Sequence, residues 1–180
     1  MPKLKLFIML VFTFLSLFTV NAYAWNNSIE LGYGVSKDPN NDKYTNSAFL
    51  LNGDFYHFHK TPLTLWSING AIGHLHSNDS INKNVTTAAL SVALRLYPFK
   101  MRYEYPPYIL GSIGPAYLSS KHFGSNKQAS HFTLQSNLGL GVEFNHFDVN
   151  LRLLHYSNAY LAHPNQGFNV KFLLSLGYLF

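Results

Sequence analysis

Beyond residue 24 the chain holds no apolar stretch long and unbroken enough for a spanning helix, yet hydrophobic residues keep recurring at every second position. A period of two means strands, because successive side chains of an extended chain point to opposite faces. The pattern is plainest near the C-terminal end, where Phe168, Val170, Phe172, Leu174, Leu176, Tyr178 and Phe180 share one parity and Asn169, Lys171, Ser175 and Gly177 the other. Eight such segments follow one another, at about 27–36, 46–57, 63–75, 85–97, 107–118, 130–144, 147–157 and 168–180, each bounded by residues that favour turns.

The charges inside these segments decide what the two faces are for. Glu30, Asp54, Arg95, Glu143, Asp148, Arg152 and Lys171 all take the parity opposite to the oily residues. A soluble sandwich would show the same separation with its oily face inward, so parity alone leaves both pictures open. Composition favours the membrane: 47% of residues are hydrophobic, 16% aromatic and only 12% charged, about half of the roughly 25% usual in soluble domains. The expected fold is all-β, an eight-stranded antiparallel transmembrane β-barrel, since closure leaves no unpaired strand edge in hydrocarbon. The chain's last residues, "LSLGYLF", resemble the C-terminal signature of bacterial outer-membrane barrels.

The N-terminus fits this picture. Lys3 and Lys5, an apolar run from Leu6 to Val20 and then Ala22-Tyr23-Ala24 have the order of a cleaved secretory signal, with the small-residue cleavage pattern at its end. Residues 1–24 are therefore expected to be a signal peptide and 25–180 the barrel domain. The absence of cysteine excludes a disulfide framework and thiolate chemistry. The formal charge of +5 includes the two signal lysines, and with no basic cluster it gives no case for nucleic acid. Membrane barrels have short periplasmic turns and longer outer loops. The turns at 57–62, 98–106 and 145–146 are then periplasmic, and the loops at 37–45, 76–84, 119–129 and 158–167 face outside. Trp66, Tyr108, Tyr117, Tyr156 and Tyr178 are candidates for interfacial aromatic girdles.

One triplet breaks the oily stripe. In the seventh segment Phe147, Val149, Leu151 and Leu153 are followed on the same parity by His155 and Ser157, at the end expected to face outward. Side chains two residues apart on a strand stand about 6 to 7 Å apart at the backbone, which lets an imidazole reach a serine hydroxyl. A base-activated serine is one reading. Two interfacial polar residues at a strand end is the other, and the triplet alone does not choose.

The neighbouring residues extend the pattern. "HYSNA" at 155–159, followed by "PNQG" at 164–167, resembles the lipid A 3-O-deacylase family of outer-membrane enzymes, whose motif runs H-x-S-N-A, a short loop and P-N-x-G. A fifth segment reading "PYILGSIGPAYLS" and the aromatic C-terminus are similar as well. The resemblance implies that Ser157 is the nucleophile and His155 the general base of an esterase that removes a hydroxyacyl chain from lipid A. It also implies a site on the outside of the barrel, a lipopolysaccharide substrate in the outer membrane and no cofactor. Matched to the same motif, the Asn165 amide is the leading oxyanion donor, helped by backbone N–H groups around Asn158, Ala159 and Tyr160.

Two positions depart from the family. Where an acidic residue is expected soon after the loop glycine, this chain has Asn169. An amide oxygen can orient an imidazole but cannot stabilise its cation by charge. Counted back from Phe180, Asn169 also has the inward parity, opposite to His155, and only a bulge early in the last strand would bring the two together. Tyr160 stands where family members tend to have a small residue, a change that narrows the site or lines an acyl groove. Glu143 and Asp148 read as inward partners of Arg95, Arg152 or Lys171. Two other classes remain beside the esterase: a silent structural or lipid-binding barrel, and a lipid acyltransferase. Whether the barrel forms a homodimer is open. The pairs His57/His59 and His74/His76 have a spacing that can suit a metal, but no cysteine or clustered carboxylate accompanies them, and no metal site is expected.

Overall fold

The computed structural model describes residues 27–38, 43–78, 82–99 and 105–180, so the expected leader lies outside the described residues. Eight long strands close into one barrel: β1 (Ser28–Lys37), β2 (Thr45–Lys60), β3 (Thr64–Ser77), β4 (Asn84–Leu96), β5 (Pro107–Leu118), β8 (Phe132–Phe144), β9 (Phe147–Ser157) and β10 (Phe168–Leu179). Each is antiparallel to its chain neighbour, and β10 closes on β1 from Ser28↔Leu179 to Val35↔Phe172. Residues 119–129, expected to be loop, contain a small hairpin of β6 (His122–Phe123) and β7 (Asn126–Lys127).

The alternation is inside-out relative to a soluble protein. Ile29, Leu31, Tyr33, Phe132, Leu140, Phe172 and Leu176 are exposed on the outer wall, while Glu30, Asp54, Arg95, Asp148 and Arg152 are buried. Such a wall suits hydrocarbon. The lumen is filled in two layers. Towards the short turns lies a charged layer in which the Arg95 guanidinium meets Glu30 at 3.1 Å, Asp54 at 2.9 Å, Glu143 at 2.7 Å and Asp148 at 2.9 Å. Arg152 pairs with the other Glu30 oxygen, and Tyr108 donates its hydroxyl to Asp148 at 2.5 Å while its ring lies under Arg95. Towards the long loops lies an apolar cluster of Leu50, Leu75, Leu118, Phe123, Leu154, Tyr156, Phe168 and Leu173, beyond which Asp38, Asn46 and Asn126 form a buried polar group.

Three expectations need correction. Tyr108 and Tyr156 are not girdle residues: both are buried in the lumen, where Tyr156 meets the Thr87 hydroxyl at 3.0 Å. Phe168 and Val170 point inward, not to lipid, and Lys171 is exposed on the outer wall instead of pairing with an acid inside. The cause of the second and third changes is one β-bulge. Val170 pairs with Leu154 and Leu173 with Arg152, so β10 carries one residue more than β9 over this interval. Lys171 and Phe172 both face out, and every residue before them has its face exchanged.

Candidate functional site

The bulge sets the geometry of the site. Because the start of β10 is flipped, Asn169 lies directly across from His155, on the same outer face. His155 Nδ1 is 2.6 Å from Asn169 Oδ1. An amide oxygen can only accept, so the ring donates from Nδ1, and in the neutral ring the lone pair is then on Nε2. Ser157, two residues further along β9, is half-buried on the same face at the rim of the barrel, and its hydroxyl makes no hydrogen bond among the described residues. The histidine, the serine and the amide that the sequence singled out are thus brought to one patch of the oily wall.

Two neighbours of His155 were missed in the sequence reading. Ser136 of β8 is its cross-strand partner on the side opposite Asn169, also half-buried and outward. Its signal was there to find, because Ser136 interrupts the stripe of Phe132, Leu134, Leu138 and Leu140. Gly167 is the second. A Cβ at this position would lie 2.5 Å from His155 Cε1, so the ring occupies space that only glycine leaves open. The motif glycine thereby acts as a seat for the imidazole.

The loop from 158 to 167 is built around Asn158, which is 5% exposed. Its side-chain Nδ2 donates to Ala162 O at 2.8 Å, its Oδ1 accepts Tyr160 N–H at 3.1 Å, and its own N–H donates to Asn165 Oδ1 at 2.9 Å. This winding holds Ala159 and Tyr160 at positive φ, 52° and 62°, a backbone region that side chains other than glycine rarely adopt. The Tyr160 ring stands 75% exposed, edge-on to His163. The far end of the loop is tied to β7, with Gln166 N–H donating to Lys127 O at 3.0 Å and Lys127 N–H to Gln166 Oε1 at 2.9 Å. Of the expected oxyanion donors, the Asn158 and Tyr160 amides are therefore already engaged. Among the described residues, the Ala159 N–H and the Asn165 Nδ2 make no hydrogen bond. Nor do the described residues include any cluster of three or more histidines and carboxylates able to hold a metal ion.

A closed barrel with an oily outer wall is a membrane barrel, and here that wall carries a hydrogen-bonded histidine and, two residues further along the same strand, a serine. The chain belongs to the lipid A 3-O-deacylase (PagL) family, whose family model matches residues 13–178. It is similar to the lipid A deacylase PagL of Pseudomonas aeruginosa, 37% identical over 62 residues that make up 34% of this chain and 36% of the relative. The matched stretch is thus about a third of that relative's length. Among solved structures, the crystal structure of the outer membrane enzyme PagL has the same fold, with a TM-score of 0.64 and 18% identity over 84% of this chain and 98% of that one.

Proposed function

We propose that this protein is an outer-membrane serine esterase that hydrolyses the 3-O-linked hydroxyacyl chain of lipid A. The observation that carries the reading is the 2.6 Å contact between His155 Nδ1 and Asn169 Oδ1 on the outer wall, which fixes the tautomer a general base needs. Family membership supplies the substrate class. A lipid-facing site suits a substrate whose reactive ester lies within a leaflet.

In this reading Ser157 Oγ attacks the ester carbonyl carbon while His155 Nε2 takes the hydroxyl proton. The tetrahedral intermediate collapses and expels the sugar oxygen, which receives that proton from His155. Water then attacks the acyl-serine ester, with His155 again as base, releasing a 3-hydroxy fatty acid and restoring Ser157. The Asn165 Nδ2 and the Ala159 N–H are the donors left for the oxyanion. The turn at 158–165 spends the other polar groups on holding these two in place. Asn169 keeps the ring oriented without charge.

The direct test is mass spectrometry of lipid A incubated with the refolded full-length barrel. Release of one free 3-hydroxy fatty acid, with matching loss from lipid A, is the expected outcome. Appearance of that acyl chain on a second lipid instead would replace hydrolysis by acyl transfer, and intact lipid A with a folded barrel would leave a silent one.

Asn169→Asp is nearly isosteric and adds the missing charge beside an imidazolium whose tautomer is already correct. Acid-to-amide replacement in a serine protease, where the tautomer is also lost, costs about 10⁴ in turnover, so restoring charge alone should raise kcat here by roughly 10- to 100-fold. An unchanged kcat would mean that this contact does not serve the reaction.

A further inference from the structure

Among the described residues, Lys171 alone carries a formal charge on the outer wall away from a strand end. The other outward lysines of the long strands, Lys37 and Lys60, terminate β1 and β2. A lipid-facing cation without a counter-ion is costly, and such residues in membrane segments commonly mark a binding site or ion path. Lys171 has no ion pair with any described carboxylate, because the bulge that carries Asn169 outward has turned it away from the buried acids.

Its surroundings give the charge a context. Directly beneath the row formed by Ser136, His155 and Asn169, a shallow cleft of about 370 Å³ is sunk into the outer wall. Leu138, Leu140, Leu151, Leu153 and Phe172 line it together with Lys171. Cross-strand pairs fix the order along the wall: His155 lies above Leu153, which faces Leu138, and Leu151 below faces Leu140. The cleft therefore begins where the reacting ester would lie and runs towards the membrane interior. Its walls suit a single alkyl chain. A lysine on this strand buries its alkyl stem along the wall and raises its ammonium towards the polar interface. That direction leads past Asn169 to the site.

We propose that Lys171 is a phosphate-reading residue: its ammonium pairs with a phosphate of the lipid whose acyl chain occupies the adjoining cleft. The inference rests on the esterase reading only for the identity of the chain, since the cleft and the cation are properties of the wall itself. Pairing would both offset the cost of the exposed charge and fix the height at which the lipid stands, holding its ester level with Ser157. Lys171 is in this sense a positioning residue, which acts on the lipid's depth and not on the reacting atoms.

The test is binding to the full-length Ser157→Ala barrel in micelles of an uncharged, phosphate-free maltoside detergent, so that neither turnover nor a competing phosphate intervenes. The probes are phosphorylated lipid A, the same lipid stripped of its phosphates, and a free 3-hydroxy fatty acid. The phosphorylated probe should bind about tenfold more tightly than the stripped one, the scale of one charge-assisted contact. Adding Lys171→Met should abolish that preference, and Lys171→Arg should retain it. A preference that survives Lys171→Met overturns the proposal, as does an equal weakening of both lipids, which would make the lysine a packing residue. Weaker binding of the fatty acid alone would overturn it in favour of a carboxylate site for the released product. Failure of the esterase reading would appear separately, as intact lipid A with the wild-type barrel, and would leave these binding arms valid.

Discussion

Replacing Ser157 by alanine is expected to lower release of the hydroxy fatty acid by roughly 10³- to 10⁶-fold, the range seen when a serine hydrolase loses its nucleophile. The barrel itself should not change. Ser157 lies at the rim of β9, half-buried, with no hydrogen bond from its hydroxyl among the described residues, so that hydroxyl contributes little to folding. Heat-modifiable mobility on gels, the usual signature of a closed barrel, should be the same for both proteins. Lipid A mass spectra should then differ by one hydroxyacyl chain. Equal hydrolysis by the two would remove Ser157 from the mechanism and require a nucleophile elsewhere, of which Ser136, the cross-strand neighbour of His155, is the nearest in the sheet.

Arg95→Met should have the largest effect on stability. The guanidinium lies within 3.1 Å of four carboxylates, those of Glu30, Asp54, Glu143 and Asp148, and is 3% exposed. Removing one member of a buried ion pair costs about 3 to 5 kcal/mol, because the remaining charge is stranded without water. Among the described residues only Glu30 would keep a second cation, Arg152. The urea midpoint for unfolding from detergent micelles should fall accordingly. Arg95→Lys should recover only part of the loss, since a single ammonium cannot span the fork of contacts that a planar guanidinium makes. The double change Arg95→Met with Asp54→Asn should be less damaging than Arg95→Met alone, and greater damage would mean that packing outweighs charge in this layer.

Much of this architecture could be read from residue order alone, because a barrel strand is a local pattern. Strand β9 runs over 147–157 as its alternation predicts, and the burial of Glu30, Asp54, Arg95, Asp148 and Arg152 follows from parity. The contact of Arg95 with Glu143 and Asp148 was within reach for the same reason. Lys171 was not. A bulge leaves no mark in a period-two pattern when hydrophobic residues fall on both sides of it, and "VKFLL" fits either register at its upper end. The same single residue decides whether Asn169 faces His155: the sequence names the amide and the bulge it would need, but only the register of the partner strand places that bulge. Tyr108 and Tyr156 misled for a different reason: aromatic rings suit both an interfacial girdle and a packed lumen, and only cross-barrel partners tell the two apart. The engaged amides of Asn158 and Tyr160 depend on how a ten-residue loop winds, which pairwise spacing does not specify.

The two-layered filling of the lumen has one more consequence. With ion pairs packed at one end and Phe123, Tyr156 and Phe168 at the other, the described interior offers a lipid no route to the candidate site at Ser157. Arrival and departure are then confined to two dimensions. The quantity that sets the encounter rate is the fraction of the leaflet made of substrate, not the amount per volume of water. Dilution with inert lipid would starve the protein even where the total supply is constant, and crowding in the plane of the membrane would govern its output.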